Sequence, residues 1–490
     1  MNFKADWSFL EKISMGAVSS QEVIRQLNAC GHNVIELERY STSNKIWATK
    51  IKRLRLPDLI CLKCGRRIES RAKSNLDVRM SDNENNPDRR WDAGLGDKDI
   101  IAFIQCSKDE NGWYPASSVN YFEAKSMRET VGLSKLGQPK SAGEGAERDR
   151  VWPTFIPAKD GEISEIIRLD DKVQIKVMYD DGLRPYTYSL KNEKGYNVYV
   201  NEGDHFEANA TMIAGIPTKK ASMDTCCDSY DFLADLKSEI KEIRYAGVKA
   251  LGYLNRTETN VNELKNLLSS EEDHRIKLEI YSSLLRLGED LWEEFKNYAL
   301  SIPEEMYKFE YVLILGELGA FDNATNELGT IALDDSYDSE LRSAAAWGIK
   351  LKVNTIARLV QISSVEDDNV AAHAITNVIE NMDDSLLASL LDCIENEETG
   401  CIALKVITDA SSISVDAVEK AYQNLSGDTL KQRWCAMAIG LMGAEGFDED
   451  VIKKTAPEYY DTITNLWDYS KSMVSDYRSG QIDFLRKQCV

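Results

Sequence analysis

Apolar residues recur at helical spacing through the second half of the chain, and the pattern itself repeats. EIRYAGVKALGYLN and HRIKLEIYSSLLRLG are two of the copies, which begin at Glu242, His274, Lys308, Glu340, Asn369 and Leu430. Equivalent apolar positions return roughly every 30–34 residues, at Leu251, Leu284, Leu315 and Ile349. This period predicts helix pairs that bury their apolar faces by stacking on neighbouring pairs, an α-solenoid over residues 228–490.

The first part of the chain mixes helical and extended patterns. SSQEVIRQLNACGHNVI predicts a helix that begins at Ser19 or Ser20 and ends at Gly31. NVIEL and NKIWATKIKRLRL predict extended segments, a hairpin turns at KCGR, and DIIAFIQC has the pattern of a buried strand. The polar MSDNENNPDRRWDAGLGD predicts a loop. These patterns therefore predict an α/β domain over residues 1–130.

A polar linker and a small all-β domain separate these two regions. Residues 131–150, rich in Gly, Ser and charge, predict a linker. Residues 151–222 alternate between apolar and polar positions, with Asp-Gly and Lys-Gly turns, and predict a small β-barrel. VNEGDHFEANATMIAG resembles sandwich-barrel hybrid domains but departs from them at Ala208, where that family usually has Gly. Without an MKM tripeptide, a lipoyl or biotinyl carrier role is not expected.

Composition favours a multidomain protein that is neither exported nor inserted in a membrane. The 490 residues exceed what one core accommodates. No apolar run approaches 18 residues, and the N-terminus lacks a basic segment followed by an apolar one. The ten cysteines show no secreted-framework spacing. We expect a soluble protein of the reducing cytoplasm with no membrane partner.

Charge is distributed unevenly along the chain. The net charge is −22, yet residues 1–100 hold 18 Lys+Arg and 14 Asp+Glu. Between Lys45 and Lys73 there are ten basic residues and only two acids, Asp58 and Glu69. This asymmetry predicts a nucleic-acid-binding face on the N-terminal domain and an acidic surface elsewhere. The alternative is a solvated basic patch on an acidic protein.

The two isolated acids belong to a recognisable order of motifs. A helix with Glu22 precedes GHNVIELERYSTSNKIW, then Pro57-Asp58, a ten-residue hairpin and IESRAK. Over about the first 110 residues this order resembles the PD-(D/E)xK nuclease superfamily, which includes restriction endonucleases. The resemblance implies a restriction-endonuclease-like α/β fold and an endonuclease that depends on Mg²⁺ or Mn²⁺. A nuclease joined to a solenoid suits restriction or anti-phage defence, where cutting must be gated.

Phosphodiester hydrolysis needs the same groups. Two or more carboxylates hold a divalent cation, and a positive charge stabilises the phosphate. Asp58 and Glu69 are the expected metal ligands, with Glu22 as a third carboxylate. Where the family has Lys, this chain has Arg71, which cannot deprotonate water near neutral pH, and Lys73 is the candidate substitute. Catalytic and degenerate, DNA-binding versions of the domain both stay open.

Basic side chains around the hairpin are the expected contacts to DNA, and RNA is not excluded. They are Lys50, Lys52, Arg53, Arg55, Arg66 and Arg67. A competing E-x-K motif occurs at Glu123-Ala-Lys125 in YFEAKS, but no PD precedes it by one hairpin. FEAKSMRET also has the composition of a surface helix.

Cys61-x-x-Cys64-Gly65 in the hairpin turn is half of a zinc knuckle. A complete Zn²⁺ site needs two more ligands, and the nearby candidates are Cys30, His32 and Cys106. The alternative is a reduced pair that closes a tight turn.

These features predict a metal-dependent DNA endonuclease, or a nuclease-like DNA-binding subunit, regulated through the solenoid. The block R-x-x-A-small-x-apolar-L-G resembles HEAT repeats, and this likeness covers about half of the chain. The acidic solenoid would bind a protein partner or fold back on the basic domain. The alternative is a non-catalytic HEAT scaffold or adaptor with a degenerate nuclease-like DNA-binding domain.

Overall fold

A computed structural model describes residues 7–37, 47, 54–109, 112–139, 147–182, 185–226, 229–425 and 427–442. The described residues divide into two compact units. The N-terminal unit comprises those within 11–42 and 53–272. The helical unit comprises 273–442 together with residues 7–10 and Trp47.

A mixed five-stranded sheet forms the first layer of the N-terminal unit. Helix α1 (Trp7–Ala29) packs on it, and the strands lie in the order β1-β2-β3-β5-β6. Only the β3–β5 pair is parallel. The strands are β1 (Val34–Glu36), β2 (Leu59–Cys61), β3 (Arg67–Lys73), β5 (Ile100–Asp109) and β6 (Gly112–Glu123). Val23 and Leu27 of α1 pack against Leu59 and Ile68, which fixes one face of the sheet.

A second sheet joins segments that are distant in sequence. β4 (Val78–Asp82), β8 (Arg148–Trp152) and β7 (Lys135–Leu136) lie in the order β4-β8-β7. The segment predicted as a loop thus begins within β4 and continues through a 3₁₀ turn at Pro87–Arg89. Two of these strands include residues from the stretch 131–150. Helix α2 (Ala124–Glu129) follows β6 directly.

The next region is a β half-barrel around a shared apolar core. One sheet has the order β12-β11-β10-β14 and the other β13-β15-β9. The strands are β9 (Thr154–Phe155), β10 (Gly161–Arg168), β11 (Lys172–Tyr179), β12 (Tyr186–Lys191), β13 (Asn197–Val198), β14 (His205–Phe206) and β15 (Ala214–Gly215). Ile163, Ile175 and Val177 are fully buried between the sheets.

A short helix, α3 (Phe232–Asp235), precedes 13 helices in the described part of the chain. They are α4 (Lys241–Gly252), α5 (Glu258–Ser270), α6 (His274–Arg286), α7 (Trp292–Ser301), α8 (Glu305–Glu317), α9 (Asp322–Leu333), α10 (Ser339–Gly348), α11 (Ile356–Ser363), α12 (Asp368–Asn381), α13 (Leu387–Asp392), α14 (Glu397–Asp409), α15 (Val415–Asn424) and α16 (Thr429–Met442). Aspartates cap several N-termini, as Asp338 does by accepting from the amides of Glu340 and Leu341.

Within the helical unit most of the described helices pack on the one two positions away, whereas α7 packs on α6 and α8. Helices α6, α8, α10, α12, α14 and α16 form one layer, and α9, α11, α13 and α15 form a second. The repeating apolar positions Leu284, Leu315 and Ile349 are fully buried. The predicted helical repeat region is confirmed at this level. No helix among the described residues is long and apolar enough to span a bilayer.

Candidate metal site

His32 lies where helix α1 ends. The amide of Gly31 donates to the carbonyl of Asn28, and that of His32 donates to Leu27, both at 3.0 Å. This pair of bonds requires a left-handed residue at the helix end, and Gly31 supplies it with φ +84°. The termination turns the chain sharply, so that the His32 ring faces back toward the β2–β3 hairpin.

The hairpin contributes two thiols from one tight turn. Cys61 ends β2, and its carbonyl accepts from the amide of Gly65 at 2.9 Å. Gly65 has φ +69°, and the ring of Tyr230 lies directly on its α-carbon, so a Cβ there would come within 2.3 Å of that ring. The turn therefore requires glycine for two reasons. It leaves Cys61 and Cys64 on the same side.

The fourth group arrives from the chain that leaves the half-barrel. Met223 is buried against the α1 side of the sheet, and Ala221 donates from its amide to the carbonyl of Tyr121 at 2.7 Å. Arg66 of the hairpin contacts the Met223 sulfur at 3.2 Å. These contacts hold the segment beside the turn and place Cys226 next to Cys61.

The four ligand atoms form a cluster of the size that a zinc ion requires. Those of His32, Cys61, Cys64 and Cys226 all lie within 4.8 Å of one another. The Cys61 and Cys226 sulfurs are 3.7 Å apart, and the Cys64 sulfur lies 3.8 Å from His32 Nδ1. Tetrahedral zinc with Zn–S near 2.3 Å needs thiolates about 3.8 Å apart. Soft sulfur and imidazole donors favour Zn²⁺ over Mg²⁺.

Hydrogen bonds orient the His32 ring and lower the pKa of Cys61, and both effects favour binding of a cation. His32 Nε2 lies 3.2 Å from the Met223 carbonyl, to which it donates, and this tautomer leaves the Nδ1 lone pair directed at the cluster. The Cys64 thiol donates to the Cys61 sulfur, and the backbone amides of Cys64, Asn33 and Lys63 assist, so the pKa of Cys61 is lowered. The same contact and burial raise the pKa of Cys64.

Three of the four donors are among those that the sequence predicts. Cys61 and Cys64 are joined by His32, which was one of three candidates, whereas Cys30 is exposed and Cys106 lies elsewhere on β5. Cys226 was missed because 162 residues separate it from Cys64. The available signal was its context, since a Cys-Cys pair in the polar stretch MDTCCDSY differs from cysteines within apolar helices.

The structure makes Asp58 and Glu69 neighbours across the β2–β3 hairpin. Leu59 pairs with Ile68, so continuing the antiparallel register by one residue places Asp58 beside Glu69. Asp58 Oδ2 accepts from the amide of Ser70 at 2.8 Å. Glu69 forms an ion pair with Arg71 at 2.7 Å. Among the described residues, neither acid belongs to a group of three or more candidate ligands like that around Cys61.

Glu22 is not brought together with Glu69. Ile68 packs against α1, and the Ser70 hydroxyl lies 2.8 Å from that of Ser19, so these two side chains face the helix. Because side chains alternate along a strand, Glu69 extends from the opposite face. Glu22 instead accepts from Arg25 and Gln26 on its own helix, at 2.5 Å and 2.6 Å. The Arg25 guanidinium lowers the pKa of Glu22.

Lys73 shares a face with Glu69 and Arg71 but serves local contacts. Its ammonium donates to the Arg79 carbonyl at 2.7 Å, pairs with Asp77 at 3.4 Å and lies 5.9 Å from the Phe103 ring centroid. Burial lowers the pKa of Lys73. This environment is typical of a lysine that closes the end of a strand.

The six basic residues predicted to contact DNA have different environments. Lys50, Lys52 and Arg53 lie outside the described residues. Arg55 is exposed, and Arg66 contacts the 222–223 segment. Arg67 is buried and forms a bidentate ion pair with Asp99, with N–O distances of 2.6 and 3.0 Å. That guanidinium serves an internal contact rather than a surface one, which corrects its prediction as a nucleic-acid ligand.

The competing E-x-K motif has no strand geometry. Glu123 is the last residue of β6, and Lys125 lies in α2, so the two residues do not alternate on one strand. The helix start that the composition indicated is the observed structure.

No protein-family model matches this chain, and a comparison with curated proteins gives no match either.

Proposed function

We propose that this chain is a non-catalytic interaction protein. In this proposal a zinc ion fastens the N-terminal unit, which presents a basic surface to nucleic acid, and the helical unit binds a protein partner. The observation that carries the proposal is the cluster of His32, Cys61, Cys64 and Cys226 at the turn of the hairpin that bears Asp58 and Glu69. The metal donors gathered at this hairpin are those of a structural zinc site.

The state of the nuclease-like residues supports a non-catalytic role. Hydrolysis needs carboxylates that converge on one cation with a free basic group beside it. Glu69 is paired with Arg71, Lys73 is held by Asp77 and the Arg79 carbonyl, and Glu22 is on the other side of the sheet. A degenerate PD-(D/E)xK-like domain that keeps DNA binding fits this arrangement.

The helical unit is proposed to be a HEAT-like array that receives a protein. Its two-layer packing is that of stacked helix pairs, in which one layer forms an extended surface. Residues 273–490 hold 39 Asp+Glu and 19 Lys+Arg, so this region repels nucleic acid and suits a basic partner surface.

A second candidate function is metal-dependent cleavage of DNA, with RNA as a further substrate class. The specific observation in its favour is the register that makes Asp58 and Glu69 neighbours across the hairpin. Two carboxylates so placed are the minimum that Mg²⁺ or Mn²⁺ needs, with water completing the coordination.

One experiment separates the two functions. Purified protein is incubated with plasmid DNA, a DNA duplex and an RNA of equal length, each with Mg²⁺ or Mn²⁺, and binding and cleavage are measured. We expect binding without cleavage, weakened by Arg55→Ala and unchanged by Arg168→Ala, an exposed arginine of the half-barrel. Phosphate contacts weaken as salt is raised, so affinity should fall with ionic strength.

Two results would change this conclusion. Metal-dependent cleavage that disappears in both Asp58→Ala and Glu69→Ala would establish the nuclease instead. Absence of binding to every nucleic acid, by a protein that contains zinc and is folded, would remove nucleic acid from the proposal and leave the scaffold.

A further inference from the structure

The strand register of the half-barrel gathers aromatic and acidic residues at one end. Gly161 at the start of β10 pairs with Tyr179 at the end of β11, and Val177 pairs with Tyr186 at the start of β12. The turns at this end carry Asp160 before β10, and Asp180 and Asp181 after β11. This cluster of tyrosines and aspartates is distinct from the metal site and from the basic hairpin.

The tyrosine rings lie steeply inclined to one another. Tyr186 and Tyr188 have ring centroids 4.7 Å apart at 71°, and the Tyr179 and Tyr188 hydroxyls are 3.1 Å apart. Tyr179 meets Phe206 at 85°. Tyr188 packs on the core, whereas Tyr186 is 51% exposed although it lies on the same face of β12. The cluster is thus anchored at one side and open to solvent at the other.

The chain itself places a cation on this cluster. The Lys159 ammonium lies 5.8 Å from the Tyr179 ring centroid and pairs with Asp181 at 2.6 Å. A ring face together with a carboxylate is the combination that attracts an ammonium group. Lys159 is half-exposed on a turn, so its side chain can leave without disturbing the core.

We propose that Tyr179, Tyr186, Tyr188 and Asp181 form a binding site for an alkylated ammonium group, for which Lys159 is the internal substitute. A methylated lysine of a partner protein or a small quaternary amine carries this chemistry. The ligand displaces the Lys159 ammonium from the Tyr179 ring and packs its methyl groups on Tyr186.

Charge selects a cation over a purely apolar ligand. Residues 151–222 contain 11 Asp+Glu and nine Lys+Arg, and Asp160, Asp180 and Asp181 are all at the end that bears the tyrosines. The faces of aromatic rings also carry partial negative charge. An anionic ligand such as nucleic acid is disfavoured here on both grounds.

Binding to the full-length protein can be measured with four probes. They are a labelled peptide with trimethyllysine, the same peptide with unmodified lysine, choline and tetramethylammonium. Fluorescence anisotropy follows the peptides directly and the small amines by competition. We expect saturable binding with preference for the methylated over the unmodified group.

The variants test the geometry. Tyr186→Ala should weaken binding about tenfold, while Tyr186→Phe keeps the ring and should bind like wild type. Lys159→Ala should strengthen binding, because it removes the internal competitor. Met178→Ala is the matched control, since Met178 is an exposed residue on the opposite face of β11 and should have no effect.

The four probes distinguish a methylated partner protein from a small quaternary amine as the source of the ammonium group. Tight binding of the peptide points to a modified protein, and equal binding of choline and the peptide points to a small amine. The proposal is overturned if no probe binds saturably, or if Tyr186→Ala binds like Tyr186→Phe. A Lys159→Ala variant that binds more weakly than wild type would also contradict it.

Discussion

At the scale of single residues, the cluster of three cysteines and one histidine depends on how each donor is held. The His32 ring is fixed from behind by the Met223 carbonyl, and Cys61 is buried. Cys226 is half-buried and belongs to a segment without regular secondary structure, so a bound metal would add to the contacts of Ala221 and Met223 that hold it. Loss of this one ligand should therefore loosen the end of the segment as well as release the metal.

Cys226→Ser should abolish stoichiometric zinc. Wild type should contain about one zinc ion per chain by elemental analysis, and the variant far less, because a neutral hydroxyl is a poor zinc ligand. We expect a loss of about 4 kcal/mol in the free energy of unfolding of the N-terminal unit. Cys30→Ser is the matched control, since Cys30 is exposed and outside the cluster. Equal zinc in both variants would contradict this assignment.

Glu22→Gln tests the ion pair between Glu22 and Arg25. Arg25 lowers the pKa of Glu22 below its usual value, so the charged pair stabilises the fold above the unfolded-state pKa. This contribution is lost as pH falls through the folded-state pKa. Arg25 is exposed and water screens the pair, so the variant should be only slightly less stable at pH 7. Urea midpoints from pH 7 downward should converge below about pH 4. A constant difference would refute this explanation.

The site shows which residues a sequence can indicate. Cys61 and Cys64 are predictable because a knuckle is a local motif with a glycine, and His32 was one of three nearby candidates for the remaining ligands. Cys226 depends on the path of the chain through the half-barrel, which no local pattern encodes. Likewise, the sequence predicts Glu22 on a helix but not which face of the sheet that helix covers.

At the scale of elements, the β2–β3 turn combines backbone strain with close packing. Gly65→Ala puts a methyl group in the left-handed region and against the Tyr230 ring, so we expect a loss of about 2–3 kcal/mol and reduced zinc content. Gly31→Ala is the control, because it has φ +84° but open space around it. It should cost about 1 kcal/mol and keep the metal. Equal losses in thermal unfolding would show that Tyr230 is irrelevant to the turn.

The helices and strands differ in how well the local sequence pattern predicts them. Helices α6 to α16 follow from a 3.6-residue period that returns along the chain, and each helix packs on near neighbours in sequence. β4 and β8 pair although more than 60 residues separate them in sequence. β4 is a short strand in which apolar and polar residues alternate, and it begins a stretch rich in Asn, Asp and Gly. The residues of β4 form a strand because β8, which is distant in sequence, pairs with them. The local pattern alone therefore predicted a loop.

At the scale of the whole molecule, the compact units do not follow the order of the chain. Trp47 belongs to the helical unit, although the described residues on either side of it in sequence, Leu37 and Leu54, belong to the N-terminal unit. Its ring is buried against Phe309 and His373, with centroids 5.7 and 5.3 Å away. A strictly sequential division into domains therefore misassigns this tryptophan, whose described ring contacts lie within the helical unit.

Stability within the helical unit should be local, since the described helices make their most extensive contacts with neighbours in the stack. Asn377 of α12 provides the test: its fully buried amide donates to the carbonyls of Ala346, Trp347 and Ile349 at 2.9, 3.3 and 2.7 Å. It thereby caps the C-terminus of α10 from the next repeat, where the carbonyls have no partner within their own helix. Asn377→Leu leaves these carbonyls buried without their donor.

We expect Asn377→Leu to cost about 2–4 kcal/mol, because each buried carbonyl without a donor carries its own desolvation cost. Hydrogen exchange should accelerate in α10 and α12 and change little in α6 and α16, since opening spreads only through adjacent interfaces. Asn354→Ala is the control, because that side chain is exposed and its contact with Asp322 is 3.4 Å long. Equal acceleration in all helices of the unit would mean that the array unfolds as one cooperative block, and the nearest-neighbour description would then fail.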